Sequence, residues 1–456
     1  MSRPVNPRAV SSTAAQQRGY VRNILVGSIG NMIEWFDWFV YATFAVYFSG
    51  QFFPADDPTA SLLNSAAVFA VGFLARPVGG WLLGRLADRK GRRTGLTVTV
   101  GLMSASALMI ALAPDHETAG YTGAVLLVVA RLLQGLSVGG EYAASASYLT
   151  EVSAGHRRGL GGSFQYVSVT LGQLAGLVIL IVLQTLLSED QLTQWGWRIP
   201  FVIGALGAVA VFYLRRGMHE TEAYVKAEAS DVEERRGTLR EVWRQRRAAV
   251  LVFALTLGGS VAYYTYTTYL NSYLVNSVGL PKEQASWVSL AALCVFLVLL
   301  PLGGHISDRV GRRPVLIFFG IGGTLGTYPI LSGMKAWPTW GAALGLSVLA
   351  LTIVAGYSSV NAVVKAELFT TEVRTVGVAV PYNLAQALFG GTASYVALAF
   401  ADGGHENWFF LYVSGCALIS LVTYALMPET SKTSLVEEPE PASVPESEPV
   451  PVSDSR

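Results

Sequence analysis

Several ionisable side chains stand inside stretches of sequence that are otherwise apolar. Glu34 and Asp37 fall in a run over 22–49, Arg76 in one over 61–87, Arg131 and Glu141 in one over 122–150, and Arg198 just ahead of one over 199–214. Where such a run crosses a bilayer, a charge at its middle costs at least roughly 2.5–3.5 kcal/mol on insertion scales, which makes each a functional candidate by default. Two chemistries lie within their reach. A carboxylate withdrawn from water takes up a proton more readily, and a guanidinium beside it opposes this. A guanidinium also grips a carboxylate anion through two parallel hydrogen bonds. An acid that competed for the arginine would leave the side-chain carboxylate open to protonation, which is a physical basis for moving an anion together with a proton.

Spacing sharpens the set. Asn31, Glu34 and Asp37 step by three, which predicts one shared helix face continued by Trp38 and Tyr41. Glu34 with Arg76 is either a structural ion pair or a proton-sensitive pair lining a cavity. Asp37 and Glu141 divide between proton work and helix packing. Arg76 and Arg131 are the expected anchors for an acid, with Arg198 third because it could equally cap a helix. Gln165, Gln173, Tyr263, Tyr266 and Asn383 are expected to complete a polar cavity, since a stretch reading Tyr-Tyr-Thr-Tyr-Thr-Thr-Tyr is too polar to face lipid. Lys365 reads as a structural charge on the cytoplasmic side.

Catalysis is not indicated. The chain has no HExxH and no Walker loop, and its five histidines show no metal-ligand spacing. Cys294 and Cys416 stand in different apolar runs and read as small core residues. No cofactor and no enzymatic activity are expected.

The elements that must position these residues follow from composition. Of 456 residues, 52% are hydrophobic and 14% charged, against roughly 25% charged in soluble domains. Twelve apolar runs of about 18–28 residues can be counted, each enough to span a bilayer as a helix. Besides those above, they cover 94–113, 159–187, 248–276, 285–307, 314–333, 340–368, 376–400 and 408–427. Lys and Arg cluster before the first run and after the second, fourth, sixth and eighth, while the alternate loops are acidic or nearly bare. That alternation predicts both termini in the cytoplasm. A net charge of +1 gives no reason to expect a nucleic-acid partner.

The expected fold class is an all-α integral membrane protein with twelve transmembrane helices in two pseudo-symmetric bundles. The expected divisions are a cytoplasmic segment over 1–21, bundles over 22–214 and 248–427, a cytoplasmic linker over 215–247 and a disordered acidic tail over 428–456. The halves echo each other. The stretch from Gly84 to Arg93 (GRLADRKGRR) matches the stretch from Gly304 to Arg313 (GHISDRVGRR), and Glu151 with Arg158 matches Glu367 with Arg374. Two matches at equivalent loops indicate an internal repeat, an architecture for alternating access about a midplane site.

The repeated loop resembles the signature of the major facilitator superfamily, as does RLLQGLSVGGEY at 131–142. More narrowly, GNMIEWFDWFVY, FLARPVGGWLLGRLADRKGRR, GWRIPF and KAELFTTEVRTVG resemble the metabolite:proton symporter family. The likeness implies a proton-coupled importer of a small dicarboxylate, 2-oxoglutarate above all, in the bacterial inner membrane. It also implies a latch that closes the inner face, built from Gly84, Asp88, Arg89, Arg92, Glu151 and Arg158 and their counterparts Asp308, Arg312, Glu367 and Arg374. Ser394 departs from the resembled pattern, which has an acidic residue there. A citrate, shikimate or betaine/proline symporter and a non-transporting nutrient sensor stand as alternatives. The expected partners are a small organic acid, protons and the bilayer, with the chain acting as a monomer.

Overall fold

The computed structural model describes residues 31–55, 58–90, 92–153, 157–216, 239–370 and 374–435, with side chains at 84–97 and at some positions such as Glu141 and Glu151 excepted. No strand occurs among the described residues. Twelve long helices run in chain order: α1 (31–52), α2 (Pro58–Lys90), α3 (Arg92–Ala111), α4 (Thr122–Val152), α5 (Arg158–Leu186), α6 (Ile199–Arg216), α7 (Arg246–Asn276), α8 (Lys282–Val310), α9 (Arg312–Ala336), α10 (Trp340–Glu367), α11 (Arg374–Asp402) and α12 (Glu406–Leu426). Nine are long and apolar enough among the described residues to cross a membrane. The other three are α1, whose expected start precedes the described residues, and α3 and α6, whose apolar stretches are shorter. The expected twelve-helix fold is therefore present.

Two helices of the second bundle carry π-helical turns. In α7 a π-helical turn runs over Thr265–Tyr269, and in α11 another runs over Gln386–Gly390. Such turns leave backbone groups unevenly paired and often sit at functional sites. Both occur where the sequence turns polar inside the membrane.

The bundles meet along equivalent helix pairs. α8 packs along α5, and α2 packs against α11. Glycines permit the closest approaches: a Cβ at Gly159 would lie 2.6 Å from the Gly304 carbonyl, and one at Gly304 would lie 2.6 Å from the Gly159 carbonyl. Within the first bundle, α4 lies so close to α2 that a Cβ at Gly139 would meet the Arg76 carbonyl at 2.0 Å. Close backbone contact of this kind, from small residues, substitutes for a hydrophobic driving force that lipid does not supply.

Candidate functional site

The first bundle holds Arg76 and Arg131, both buried, around one indole. The Arg76 guanidinium sits 4.0 Å from the Trp38 ring and 4.0 Å from the Phe73 ring. The Arg131 guanidinium sits 4.3 Å from Trp38 and 4.6 Å from Tyr41. Aromatic faces attract a cation, more strongly where water is excluded. The hydrogen bonding of the two differs. Arg131 Nη1 donates to Gln134 Oε1 at 2.5 Å and, weakly, to the Trp38 carbonyl at 3.4 Å. Gln134 Nε2 donates in turn to Asp37 Oδ2 at 2.5 Å. Asp37, Gln134 and Arg131 thus form a relay across α1 and α4, all three buried. Arg76 Nε and Nη2 make no hydrogen bond among the described residues. The partners the structure gives Arg76 are rings and the Tyr264 hydroxyl, where a carboxylate from Glu34 was expected.

The predicted single face on α1 divides. Asn31 donates to Ser168 on α5 at 2.6 Å, whereas Asp37 points to α4 and lies beside Gly204 of α6. Each step of three residues falls short of a full turn by about 60°, so two steps separate the ends by about 120°. Glu34, between them, is also buried.

The second bundle faces this box with tyrosines, amides and one lysine. Tyr142 of α4 and Tyr382 of α11 stack at 3.7 Å between ring centroids. The Tyr142 hydroxyl donates to Asn361 Oδ1 at 2.8 Å, and Asn383 donates to the Gly139 carbonyl at 2.7 Å. The Tyr263 hydroxyl donates to Gln173 at 3.1 Å. Gln173 lines a narrow crevice with Thr267, Thr268, Asn271 and Ser289. Tyr263, Gln173 and Asn383 therefore join the two bundles at the seam where a cavity was expected, and Gln165 is fully buried on α5. Lys365, expected as a structural charge near the inner end of its run, is fully buried two residues before the end of α10.

The "Sugar (and other) transporter" family model matches the chain twice, over residues 23–241 and 218–440. The chain belongs to the major facilitator superfamily. It is 43% identical to the alpha-ketoglutarate permease of Escherichia coli, over 92% of this chain and 96% of that one. It is 33% identical to a citrate-proton symporter of Salmonella typhi, over 90% and 95%. A partially occluded inward-open structure of the xylose transporter from E. coli superposes with a TM-score of 0.73 at 18% identity, covering 89% of this chain and 97% of that one. The chain is a transporter of the membrane-spanning major facilitator fold, not an enzyme.

The repeated loop of this superfamily is visible in its second copy. Asp308, at the end of α8, accepts from the Gly159 and Leu160 backbone N–H groups at 2.7 and 2.9 Å. It thereby caps the first turn of α5 in the other bundle, where four backbone donors lack helical partners. Arg312 holds Asp308 at 2.8 Å and Glu367 at 3.4 Å. Arg374 donates to the Ala366 and Leu435 carbonyls at 3.1 and 3.0 Å, and Arg158 to Ser434 at 3.2 Å. In the first copy, α2 runs through Gly84, Asp88 and Arg89 and α3 begins at Arg92, but their side chains, like those of Glu151 and Glu141, lie outside the described residues.

Some expected residues belong elsewhere. Arg198 donates to the Gln194 and Ala113 carbonyls at 2.9 and 3.1 Å. It is half-buried and ties off helix ends, so these donors are committed to the backbone. Tyr266 is buried beside Thr327 of α9, inside the second bundle and away from the seam. Cys294 is exposed on α8 rather than in the core. The tail also begins later than expected: residues 428–435 pack against the ends of α9 and α10. Glu429 accepts from the Arg312 and Arg313 N–H groups at 2.8 and 3.0 Å, and Thr430 donates to Glu367 at 2.6 Å. Composition conceals this docking because polar contacts carry it instead of apolar burial, those of Ser434 and Leu435 with Arg158 and Arg374 among them. Residues 436–456 lie outside the described set. Gln134, Tyr142 and Asn361 were missed as site residues; each is a neutral polar group inside an apolar run, the one signal that could have found them.

Proposed function

We propose that the protein imports a small dicarboxylate, 2-oxoglutarate by its likeness to the permease, together with protons by alternating access in the bacterial inner membrane with both termini cytoplasmic. The observation that carries this reading is the Asp37–Gln134–Arg131 relay beside Arg76. Arg76 keeps two donor nitrogens unengaged at the seam, flanked by rings that fix its plane. It is the anchor for a substrate carboxylate. Arg131 has its donors turned to Gln134 and Trp38, and acts as a positioning residue for Asp37. Asp37 takes the proton. Once it is neutral, its hold on the Gln134 amide weakens, and Gln134 and Arg131 are free to reorient. Glu34 is a second carboxylate in reach of the same seam, and Glu141 stands as a third by sequence. Gln165, Gln173, Tyr263 and Asn383 give the cavity its neutral hydrogen-bonding lining.

Purified protein in proteoliposomes tests this directly. Counterflow of labelled 2-oxoglutarate is expected without a gradient, and net accumulation only with an inward proton gradient. Asp37→Asn should retain counterflow and lose accumulation. Arg76→Lys should raise the half-saturating concentration roughly 10- to 100-fold, the range for one lost charge-assisted contact. Absence of 2-oxoglutarate counterflow, with citrate supporting it instead, would transfer the reading to a tricarboxylate.

A further inference from the structure

We infer that Lys365 is a second anion anchor, in the C-terminal bundle, which receives the other carboxylate of a dicarboxylate substrate. The inference rests on the carboxylate-transport reading above and assigns that site its second pole. Lys365 is fully buried, and among the described residues no carboxylate lies within ion-pair distance of it. Its ammonium group donates to Asn361 Oδ1 at 2.9 Å, and at longer range to the Tyr357 and Tyr142 hydroxyls at 3.4 and 3.5 Å. The Tyr382 ring lies 4.1 Å away. These neutral groups offer an ammonium ion far less than an anion would. A buried charge without a counter-charge is destabilising and persists where it serves a purpose that stability alone does not.

The location supplies the purpose. The cage is built from both bundles: Tyr142 comes from α4, while Tyr357, Asn361, Lys365 and Tyr382 come from α10 and α11. It therefore lies on the same seam as Arg76. Tyr382 joins the two poles, because Lys365 sits over its ring and Arg76 is within electrostatic reach of its hydroxyl. A molecule with an anion at each end would meet one cation fixed to each bundle. The stacked Tyr142 and Tyr382 rings form a flat wall between them.

The cage also explains how binding would be felt by the fold. Asn361 Oδ1 accepts from both Tyr142 and Lys365. A carboxylate arriving at Lys365 would replace the amide as acceptor and free the Tyr142 hydroxyl to donate to the substrate. The bond from Tyr142 to Asn361, which crosses between the bundles, would then be exchanged for bonds through the ligand. Substrate would become part of the contact that the two bundles rock about.

The competing possibility is that Lys365 clamps the bundles together through its hydrogen bonds. The two make opposite predictions for full-length protein in detergent. Binding of 2-oxoglutarate and of the monocarboxylate 2-oxopentanoate is measured alongside the ligand-free melting temperature, for wild type, Lys365→Met, Lys365→Gln and Arg76→Lys. The anchor requires that Lys365→Met weaken 2-oxoglutarate roughly 10- to 100-fold. The variant should then bind the two acids alike, with its ligand-free melting temperature raised. Arg76→Lys should weaken both acids. A Lys365→Met protein that keeps the wild-type preference for the dicarboxylate would overturn the anchor alone. So would a loss of folding in both Lys365→Met and Lys365→Gln, which would establish the clamp. A wild type that binds neither acid would sink the transport reading and this site with it.

Discussion

In the orientation proposed above, the inner and outer faces close the seam in different ways. On the inner face, Asp308 binds two backbone N–H groups of α5 and is held by Arg312, with side-chain exposures of only 7% and 3%. Glu367 and Glu429 extend that network to α10 and to the segment after α12. On the outer face, the bundles are joined by the Lys282–Glu189 pair, with side-chain exposures of 36% and 67%, and by Gln184 donating to Ser286 at 3.3 Å. One face is a dry, branched network ending on backbone; the other is a hydrated pair of flexible side chains. An exposed ion pair contributes about 0–1 kcal/mol, while a charge-assisted hydrogen bond to an otherwise orphaned helix donor contributes about 1.5–3 kcal/mol. The inner face is the stiffer of the two, so opening toward the cytoplasm is the step that needs a trigger.

The strongest test of this asymmetry is Asp308→Asn. The amide keeps the shape but can accept at one oxygen only, and its NH2 group then confronts a backbone donor. Loss of the cap should cost about 1–2 kcal/mol of inner closure, or roughly a 5- to 30-fold shift toward the inward-open population. Labelling of a cysteine introduced in the seam, from the cytoplasmic side, should accelerate accordingly. Unchanged labelling would mean that packing of Gly159 on Gly304 closes the face unaided. Asp88→Asn should act in the same direction if the repeat carries a shared role.

A smaller effect is expected at Glu429, and it depends on pH. Partial burial opposes its charge, but the N–H groups of Arg312 and Arg313 and the contacts from Ser431 outweigh this and hold its pKa below the usual carboxylate value. A group with a depressed folded pKa stabilises fully above its unfolded value, and the contribution fades as pH falls through the folded one. The docked segment should therefore stay in place at neutral pH and release only in acid below the ordinary glutamate range. Glu429→Gln should release it at neutral pH, with hydrogen exchange at 428–435 rising and inner closure weakening by less than in Asp308→Asn.

How far the sequence disclosed this contrast depends on whether each signal is local. The inner network was legible because its residues recur in a repeated loop, and a repeat marks equivalent positions along the chain without reference to where they lie in space. The twelve helices were legible because apolar length is a one-dimensional property. Other features needed the third dimension. Asn31 and Asp37, two steps of three apart, look like parts of one face, but the drift of a helix turns them toward α5 and α4 respectively. Lys365 stands two residues before Glu367 and near Arg374, where a positive charge reads as an anchor to the cytoplasm. Only the meeting of α4, α10 and α11 shows it enclosed by tyrosines. Gln134 carries no charge, and its place in an apolar run does not by itself say that it links Asp37 to Arg131.

The weakest expected effect closes the comparison from the outer side. Lys282→Ala removes the exposed pair with Glu189 together with the contact of its ammonium 5.1 Å from the Tyr47 ring. Glu189 then faces water, so no buried charge is orphaned, and Gln184 still links Tyr47 and Ser286. Half-saturation for uptake should change by less than roughly threefold, since an exposed pair carries under about 1 kcal/mol and salt screens it. Raising ionic strength from low to physiological should reproduce the variant in the wild type and leave the variant unmoved. A loss as large as that of Asp308→Asn would mean that the outer pair is drier during turnover than in this closed arrangement, and that the two faces share the work of closure more evenly than their hydration implies.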